Sequence, residues 1–139
     1  MRFDIIRIKM KEIEESLQLV EDNLPKSYAE FSKLGLIKDG IFKRLEFCIE
    51  NIFSICAIIN TDLKLGIPES DENIVDNLAS KNIISKDLGE NLKSMKGFRN
   101  ILVHRYGKIN DEMAYNIMID HLEDFSNFIN KIVHFLEKQ

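Results

Sequence analysis

The sequence predicts an all-α fold, an antiparallel four-helix bundle with one additional short helix. Apolar residues recur along most of the chain at steps of three and four, the period of a helix with one buried face. The 139 residues include only two prolines and six glycines, and no stretch alternates in the way a strand does. The intervening loops are short, which favours antiparallel neighbours. We expect a single domain over residues 1–139, large enough for one hydrophobic core.

The first predicted helix covers residues 3–24 and is amphipathic, with one apolar stripe. Pro25 ends it, because the residue before a proline is pushed out of the helical region. The stretch 26–36 is ambiguous: its aromatic residues could pack a short helical turn, and Gly35 breaks that turn. The sequence leaves both interpretations of this stretch open.

The most apolar predicted helix runs from Ile37 to about Asp62 and would span about 39 Å at 1.5 Å per residue. Its apolar stripe is too wide to be buried by packing on one side only. We therefore expect it to be the central helix of the bundle or to face a second subunit. The stripe comprises Ile41, Phe42, Leu45, Cys48, Ile49, Ile52, Phe53, Cys56 and Ile59.

Three further helices follow. The loop 65–68 leads to a short helix that we expect Asp71 to cap. The next helix should begin after Ser85, a good N-cap, and end near Tyr106, because Gly107 suits the position just beyond a helix end. Asn110 or Asp111 should cap the last helix, which is long and amphipathic.

The candidate site lies in the last two turns of the helix after Ser85, in the segment Arg99-Asn100-Ile101-Leu102-Val103-His104-Arg105-Tyr106. Four polar groups of different chemistry alternate there with aliphatic residues that can hold the segment in a core. Asn100 and His104 would lie roughly 40° apart on one helix face, whereas Arg99 would be roughly 140° from His104. Arg99 can meet His104 only by bending its side chain or across a subunit boundary.

Each of these residues allows a functional and an ordinary interpretation. His104 suits proton transfer near neutral pH, or it is a surface or capping residue. Arg99 suits bidentate binding of a phosphate, or it is a surface ion-pair partner. Asn100 orients the imidazole or the phosphate, or it satisfies backbone groups. Tyr106 is a half-buried amphipathic residue at the helix end if spacing alone is considered.

The pattern of Arg99 followed by Asn100, His104 and Tyr106, or R-x4-H-x-Y, resembles the signature of HEPN-domain ribonucleases. It is most similar to that of the HepT-type toxins, which are encoded beside a minimal nucleotidyltransferase antitoxin. The motif covers about ten residues, while the resemblance in architecture covers nearly the whole chain. It implies that the partner nucleotidyltransferase attaches AMP to Tyr106, and that the active site lies in the groove of a homodimer.

The resemblance also implies a metal-independent endoribonuclease toxin that needs no cofactor. The RNA 2′-hydroxyl would attack the adjacent phosphate, with His104 transferring the proton, Arg99 stabilising the charge and Asn100 positioning. One histidine per chain is few for both acid and base, which favours two chains meeting at the motif. The alternative is a catalytically silent helical module that binds a nucleotidyltransferase as its substrate or scaffold. An enzyme acting on a small nucleotide is a third hypothesis.

The net charge of −4 and the pI near 5.4 argue against broad electrostatic binding of nucleic acid, which needs clustered lysine and arginine. Any RNA site must therefore be a local patch. We expect the cations around the motif to form it: Lys93, Lys96, Arg99, Arg105 and Lys108.

The sequence argues against several other classes of site. His104, His121 and His134 fit no metal-ligand spacing, and we expect the last two to be surface residues. Cys48 and Cys56 lack any zinc-site spacing and should be reduced core residues. The N-terminus has no apolar signal region and no run approaches the ~18 apolar residues of a membrane span. We therefore expect a cytoplasmic protein with no membrane partner.

Overall fold

The structure is a computed structural model and describes residues 1–103 and 111–139. The described residues form helices joined by turns and loops, so the prediction of an all-α fold is confirmed. Four long helices and two short ones follow one another along the chain. They are α1 (Phe3–Asn23), α2 (Tyr28–Phe31), α3 (Leu36–Asp62), α4 (Asp71–Ser80), α5 (Lys86–Val103) and α6 (Asp111–Glu137).

Helix α3 is the central element of this arrangement. It packs against α1, α4 and α5, and all nine residues of its predicted apolar stripe are buried. The stripe is therefore wide because helices of the same chain cover α3 on several sides. The largest exposed apolar side chain in the middle of α3 is Phe47, which is 37% exposed.

The ambiguous stretch before α3 contains a short helix. Ser27 caps α2, since its Oγ accepts a hydrogen bond from the Glu30 backbone N–H at 3.2 Å. Phe31 is fully buried, and its ring contacts those of Phe42 and Tyr115. Gly35 separates α2 from α3 with a φ of +60°, a conformation that glycine adopts without the steric cost other residues meet. Helix α2 therefore packs on the hydrophobic core through Phe31.

The N-cap of α5 agrees with the prediction from the sequence, whereas the N-cap of α4 is a different residue from the one predicted. Ser85 Oγ accepts from the Leu88 N–H at 3.1 Å, as predicted for the start of α5. The N-cap of α4 is Ser70, whose Oγ accepts from the Asn73 N–H at 3.0 Å. Asp71 is instead the first helical residue, where a carboxylate interacts favourably with the helix dipole. The predicted end of α5 near Tyr106 lies outside the described residues, as does Asn110.

Two polar contacts hold the beginning of α6 against the rest of the bundle. The Lys38 Nζ lies 2.8 Å from Asp111 Oδ2, with both side chains only about one-fifth exposed. The Tyr115 hydroxyl donates a hydrogen bond of 3.0 Å to the carbonyl of Pro25. The end of α1, the start of α3 and the start of α6 therefore meet at one end of the bundle. We call this the motif end, because residues 104–110 immediately precede Asp111.

The two cysteines are free and buried, as the sequence indicated. Burial raises the pKa of the Cys48 thiol and of the Cys56 thiol to about 12 each, because a thiolate loses its hydration there. Both side chains are protonated core residues at neutral pH.

Two glycines within α5 provide a matched test of its packing. A Cβ at Gly97 would have no neighbour within 4 Å, whereas one at Gly89 would lie 3.3 Å from Val75 Cγ1. We expect Gly97→Ala to raise the free energy of unfolding by about 0.5–1 kcal/mol, since alanine loses less backbone entropy in a helix. Gly89→Ala should gain less or destabilise, because Val75 must move. Urea unfolding measures both, and equal gains would contradict the tight packing of α5 on α4.

Candidate functional site

The described part of the motif is the last turn of α5, which carries Arg99 and Asn100. Arg99 is half-buried, and its Nη2 donates a hydrogen bond of 3.2 Å to Asn100 Oδ1. Its Nε is buried and has no hydrogen-bond partner in the described part of the chain. Asn100 is exposed. Within residues 1–103 and 111–139, the guanidinium is therefore held from one side only.

The position of Arg99 follows from the packing of α5. Its neighbours along the helix, Phe98 and Leu102, are buried at 4% and 7% exposure. Arg99 lies about 60° from Leu102 around the helix, beside this buried face, which agrees with its partial burial. A buried N–H without a partner is uncommon in folded proteins and calls for an explanation. An anion such as phosphate would satisfy it.

Asn100 has a use that the sequence analysis did not foresee. Its side-chain oxygen accepts from the guanidinium of Arg99, the residue that precedes it in the chain. With its oxygen turned to Arg99, the amide nitrogen of Asn100 is directed away as a donor. The pair thus presents guanidinium and amide N–H groups together at the surface of α5.

The remaining predicted site residues, His104, Arg105, Tyr106 and Lys108, lie outside the described residues. The approach of Arg99 to His104, within one chain or across two, stays a prediction. The same holds for the contribution of Arg105 and Lys108 to an RNA site.

Lys96, a predicted RNA-binding residue, already has carboxylate neighbours. Its Nζ lies 3.0 Å from Glu72 and 3.7 Å from Asp71, both in the first turn of α4. The hydrogen bond from Lys96 lowers the pKa of the Glu72 carboxyl below its ordinary value. RNA would have to compete with these carboxylates for the ammonium, so RNA binding by Lys96 remains a prediction.

Lys93 is paired in the same way. Its Nζ lies 2.6 Å from Asp76 on α4 and 3.3 Å from Glu90 one turn earlier on α5. Hydrogen bonding to Asp76 raises the pKa of the Lys93 ammonium, which stays charged. Together the two lysines fasten α5 to α4, and their positive charge is compensated locally.

His121 differs from the surface residue that the sequence predicted. It is partly buried, and its Nδ1 lies 2.8 Å from Oδ2 of Asp124, a carboxylate only 8% exposed. Asn91 of α5 donates to the other oxygen of Asp124 at 3.0 Å. These three side chains link α5 to α6. The three-residue step from His121 to Asp124 is the feature of the sequence that predicts a contact between the two side chains on one helix face. His134 is exposed, as predicted.

Within residues 1–103 and 111–139, no three His, Cys, Asp or Glu side chains are grouped closely enough to hold a metal ion. None of the helices in the same ranges is long and apolar enough to span a membrane.

Known proteins resemble this chain over most of its length. The family model for HepT-like ribonucleases matches residues 13–132. The mRNA nuclease HepT of Shewanella oneidensis is 36% identical over 104 residues, which are 75% of this chain and 78% of that protein.

Solved structures show the same likeness. The tri-AMPylated HEPN toxin of Shewanella oneidensis, in complex with its MNT antitoxin, superposes with a TM-score of 0.84 at 33% identity, covering 94% of this chain and 98% of that one. A cytosolic protein of unknown function from Bacillus subtilis superposes with a TM-score of 0.81 over 99% of this chain and 92% of its own. At 20% identity the second likeness concerns the fold alone.

Proposed function

Because this chain belongs to the HepT-like ribonuclease family, we propose that it is the endoribonuclease toxin of a pair whose other member is a minimal nucleotidyltransferase antitoxin. The observation that carries the proposal is the family match over residues 13–132, combined with Arg99, Asn100, His104 and Tyr106 in the expected order. One relative of known structure is a HEPN toxin in complex with an MNT antitoxin. The RNA and the antitoxin are the partners proposed here.

The proposed reaction needs no metal, because the nucleophile is the 2′-hydroxyl of the RNA itself. That oxygen forms a bond to the adjacent phosphorus while the bond from phosphorus to the 5′ oxygen breaks. The products are a 2′,3′-cyclic phosphate and a 5′-hydroxyl. One imidazole accepts the 2′-hydroxyl proton and an imidazolium gives a proton to the leaving oxygen. His104 supplies these groups.

The proposed role of Arg99 is to bind the phosphate as negative charge builds up on its oxygens. Its Nε, which has no partner among the described residues, and its planar fork favour this role, since a guanidinium stays protonated and donates bidentately. Asn100 holds the guanidinium through its side-chain oxygen, which reduces the reorganisation needed when the phosphate arrives. Asn100 is thus proposed as a positioning residue for Arg99.

The homodimer is proposed from the chemistry of the site. Acid and base catalysis together need two proton-transfer groups, and a twofold axis at the motif would bring the His104 of each chain to one groove. The apolar stripe of α3 no longer supports the dimer, because the helices of the same chain bury it. The proposed location of the toxin is the cytoplasm, where its RNA substrate is found.

Tyr106 is proposed as the site of AMP attachment by the antitoxin. The chain has two other tyrosines, and their surroundings make them poorer targets. Tyr115 is 6% exposed and its hydroxyl is bonded to Pro25, while Tyr28 is half-buried among aromatic rings. A nucleotidyl group on Tyr106 would place a phosphate near Arg99 and compete with RNA for it.

The catalytic proposal predicts a separation of activity from stability. His104→Ala should lower RNA cleavage by about 10²–10⁴-fold, the usual cost of removing a general acid or base. Arg99→Ala should lower it by about 10²–10³-fold, the usual cost of removing a donor that stabilises charge in the transition state. Melting temperature and helical content should change little, and EDTA should not inhibit. His134→Ala, an exposed histidine on α6, is the control. Undiminished cleavage by His104→Ala would refute the mechanism and favour the silent scaffold.

The dimer proposal predicts a solution mass about twice the 16.2 kDa of the chain. Light scattering at micromolar concentration measures it. Mixing an excess of His104→Ala chains with wild-type chains should lower cleavage below the level expected from the wild-type chains alone, because each mixed dimer keeps only one of the two His104 side chains. A monomer at every accessible concentration would remove the two-chain mechanism.

The modification proposal predicts that co-expression with the cognate nucleotidyltransferase adds one or more AMP units to the chain. Mass spectrometry detects the addition, and Tyr106→Phe should abolish it along with most of the neutralisation. Tyr28→Phe serves as the control and should be modified like the wild type. Neutralisation of Tyr106→Phe as complete as that of the wild type would exclude AMP attachment as the inhibitory step.

A further inference from the structure

We propose that residues 26–44, here called the basic segment, form the surface that binds the phosphate backbone of single-stranded RNA and guides it to the motif. This inference rests on the proposed function, since RNA is the substrate there. It assigns RNA binding to a part of the chain that contributes nothing to the motif itself.

Charge is distributed unevenly along the chain. The basic segment holds five of the 19 lysines and arginines but only two of the 23 acidic residues, a net charge of +3. The rest of the chain therefore carries −7, which gives the total of −4. In an acidic protein, such a local excess of cations is the electrostatic footprint expected of a nucleic-acid site. The five cations are Lys26, Lys33, Lys38, Lys43 and Arg44.

The basic segment lies at the motif end of the bundle. Lys38 pairs with Asp111, the residue that directly follows 104–110 in the chain. Pro25, next to the segment, accepts the hydrogen bond of Tyr115 from the second turn of α6. The basic segment and the first turns of α6 therefore lie at the same end of the bundle.

Three cations of the basic segment are available for a ligand. Lys26, Lys33 and Arg44 are exposed and form no ion pair with a carboxylate among residues 1–103 and 111–139. Lys38 and Lys43 are paired, with Asp111 at 2.8 Å and with Glu46 at 3.3 Å. Exposed cations that form no ion pair can bind phosphate without first breaking a contact with a carboxylate.

The two lysines of α5 near the motif, Lys93 and Lys96, differ from these three. Lys93 and Lys96 each have two carboxylates within 4 Å and connect α5 to α4. Using either one for RNA would break a contact between helices. At the motif end, the exposed cations free of such contacts within the described residues therefore flank α2 or lie near the start of α3.

The salt dependence of binding gives the proposal a magnitude. Each phosphate contact on a single strand contributes about 0.7 to the slope of log affinity against log salt concentration. Between about 50 and 200 mM salt, the affinity of the wild type should therefore fall roughly twentyfold more than the affinity of a variant that lacks three phosphate contacts.

The test variant is Lys26→Gln/Lys33→Gln/Arg44→Gln. The control is Lys81→Gln/Lys86→Gln/Lys138→Gln, three exposed lysines remote from the motif end. Both variants lose three positive charges, so their net charges are equal. Fluorescence anisotropy with a labelled 2′-O-methyl oligonucleotide, which lacks the attacking hydroxyl, measures affinity across the salt range. Cleavage of the matching RNA and the melting temperature are measured in parallel.

We expect the test variant to lose affinity and salt dependence, with KM for RNA raised about tenfold or more at low salt, while the control behaves like the wild type. Equal losses in both variants would overturn the inference, because net charge alone would explain them. Unchanged RNA affinity would also overturn it, and lost co-purification with the nucleotidyltransferase would then assign the surface to that protein. If the wild type binds RNA through this segment but cuts none, the proposed function fails and the inference stands.

Discussion

The burial of α3 on several sides is the constraint on which the rest of the structure depends. Its nine stripe residues are all buried, and burying each large aliphatic or aromatic side chain contributes roughly 1.5–3 kcal/mol. Helices α1, α4 and α5 cover α3, and α6 packs on α5. Short connections make sequential long helices antiparallel. The last turn of α5 and the first turn of α6 therefore lie at one end, beside the start of α3.

Ion pairs decide which cations of this acidic protein are available to a ligand. Carboxylates of α4 and α5 surround Lys93 and Lys96, so those side chains serve mainly to join the two helices. Exposed ion pairs of this kind each contribute little to the free energy of unfolding. They nevertheless compensate the positive charge in a region where the sequence alone indicates a positive patch. At the motif end, the exposed cations without a carboxylate partner among the described residues are Lys26 and Lys33, on either side of α2, and Arg44 near the start of α3.

The described part of the motif combines support from the core with one buried donor, Arg99 Nε, that has no partner among residues 1–103 and 111–139. Phe98 and Leu102 anchor the last turn of α5 in the core, and Asn100 holds the guanidinium of Arg99 from one side. A buried N–H that lacks a partner costs stability in the free protein. An anion that satisfies it regains that free energy on binding, which is a physical reason for phosphate to bind at this position.

The sequence by itself determined the long helices, helix α4, the Ser85 cap and the motif, because these depend on local periodicity and on short-range hydrogen bonds such as that of Ser85. It also identified Cys48 and Cys56 as core residues. Only the tertiary structure decided what depends on residues distant in the chain. It showed that α3 is covered by its own chain, that Lys96 pairs with Glu72, that His121 is held by Asp124, and that Lys38 contacts Asp111. Such pairings depend on how helices pack side by side, which the spacing within one helix does not encode.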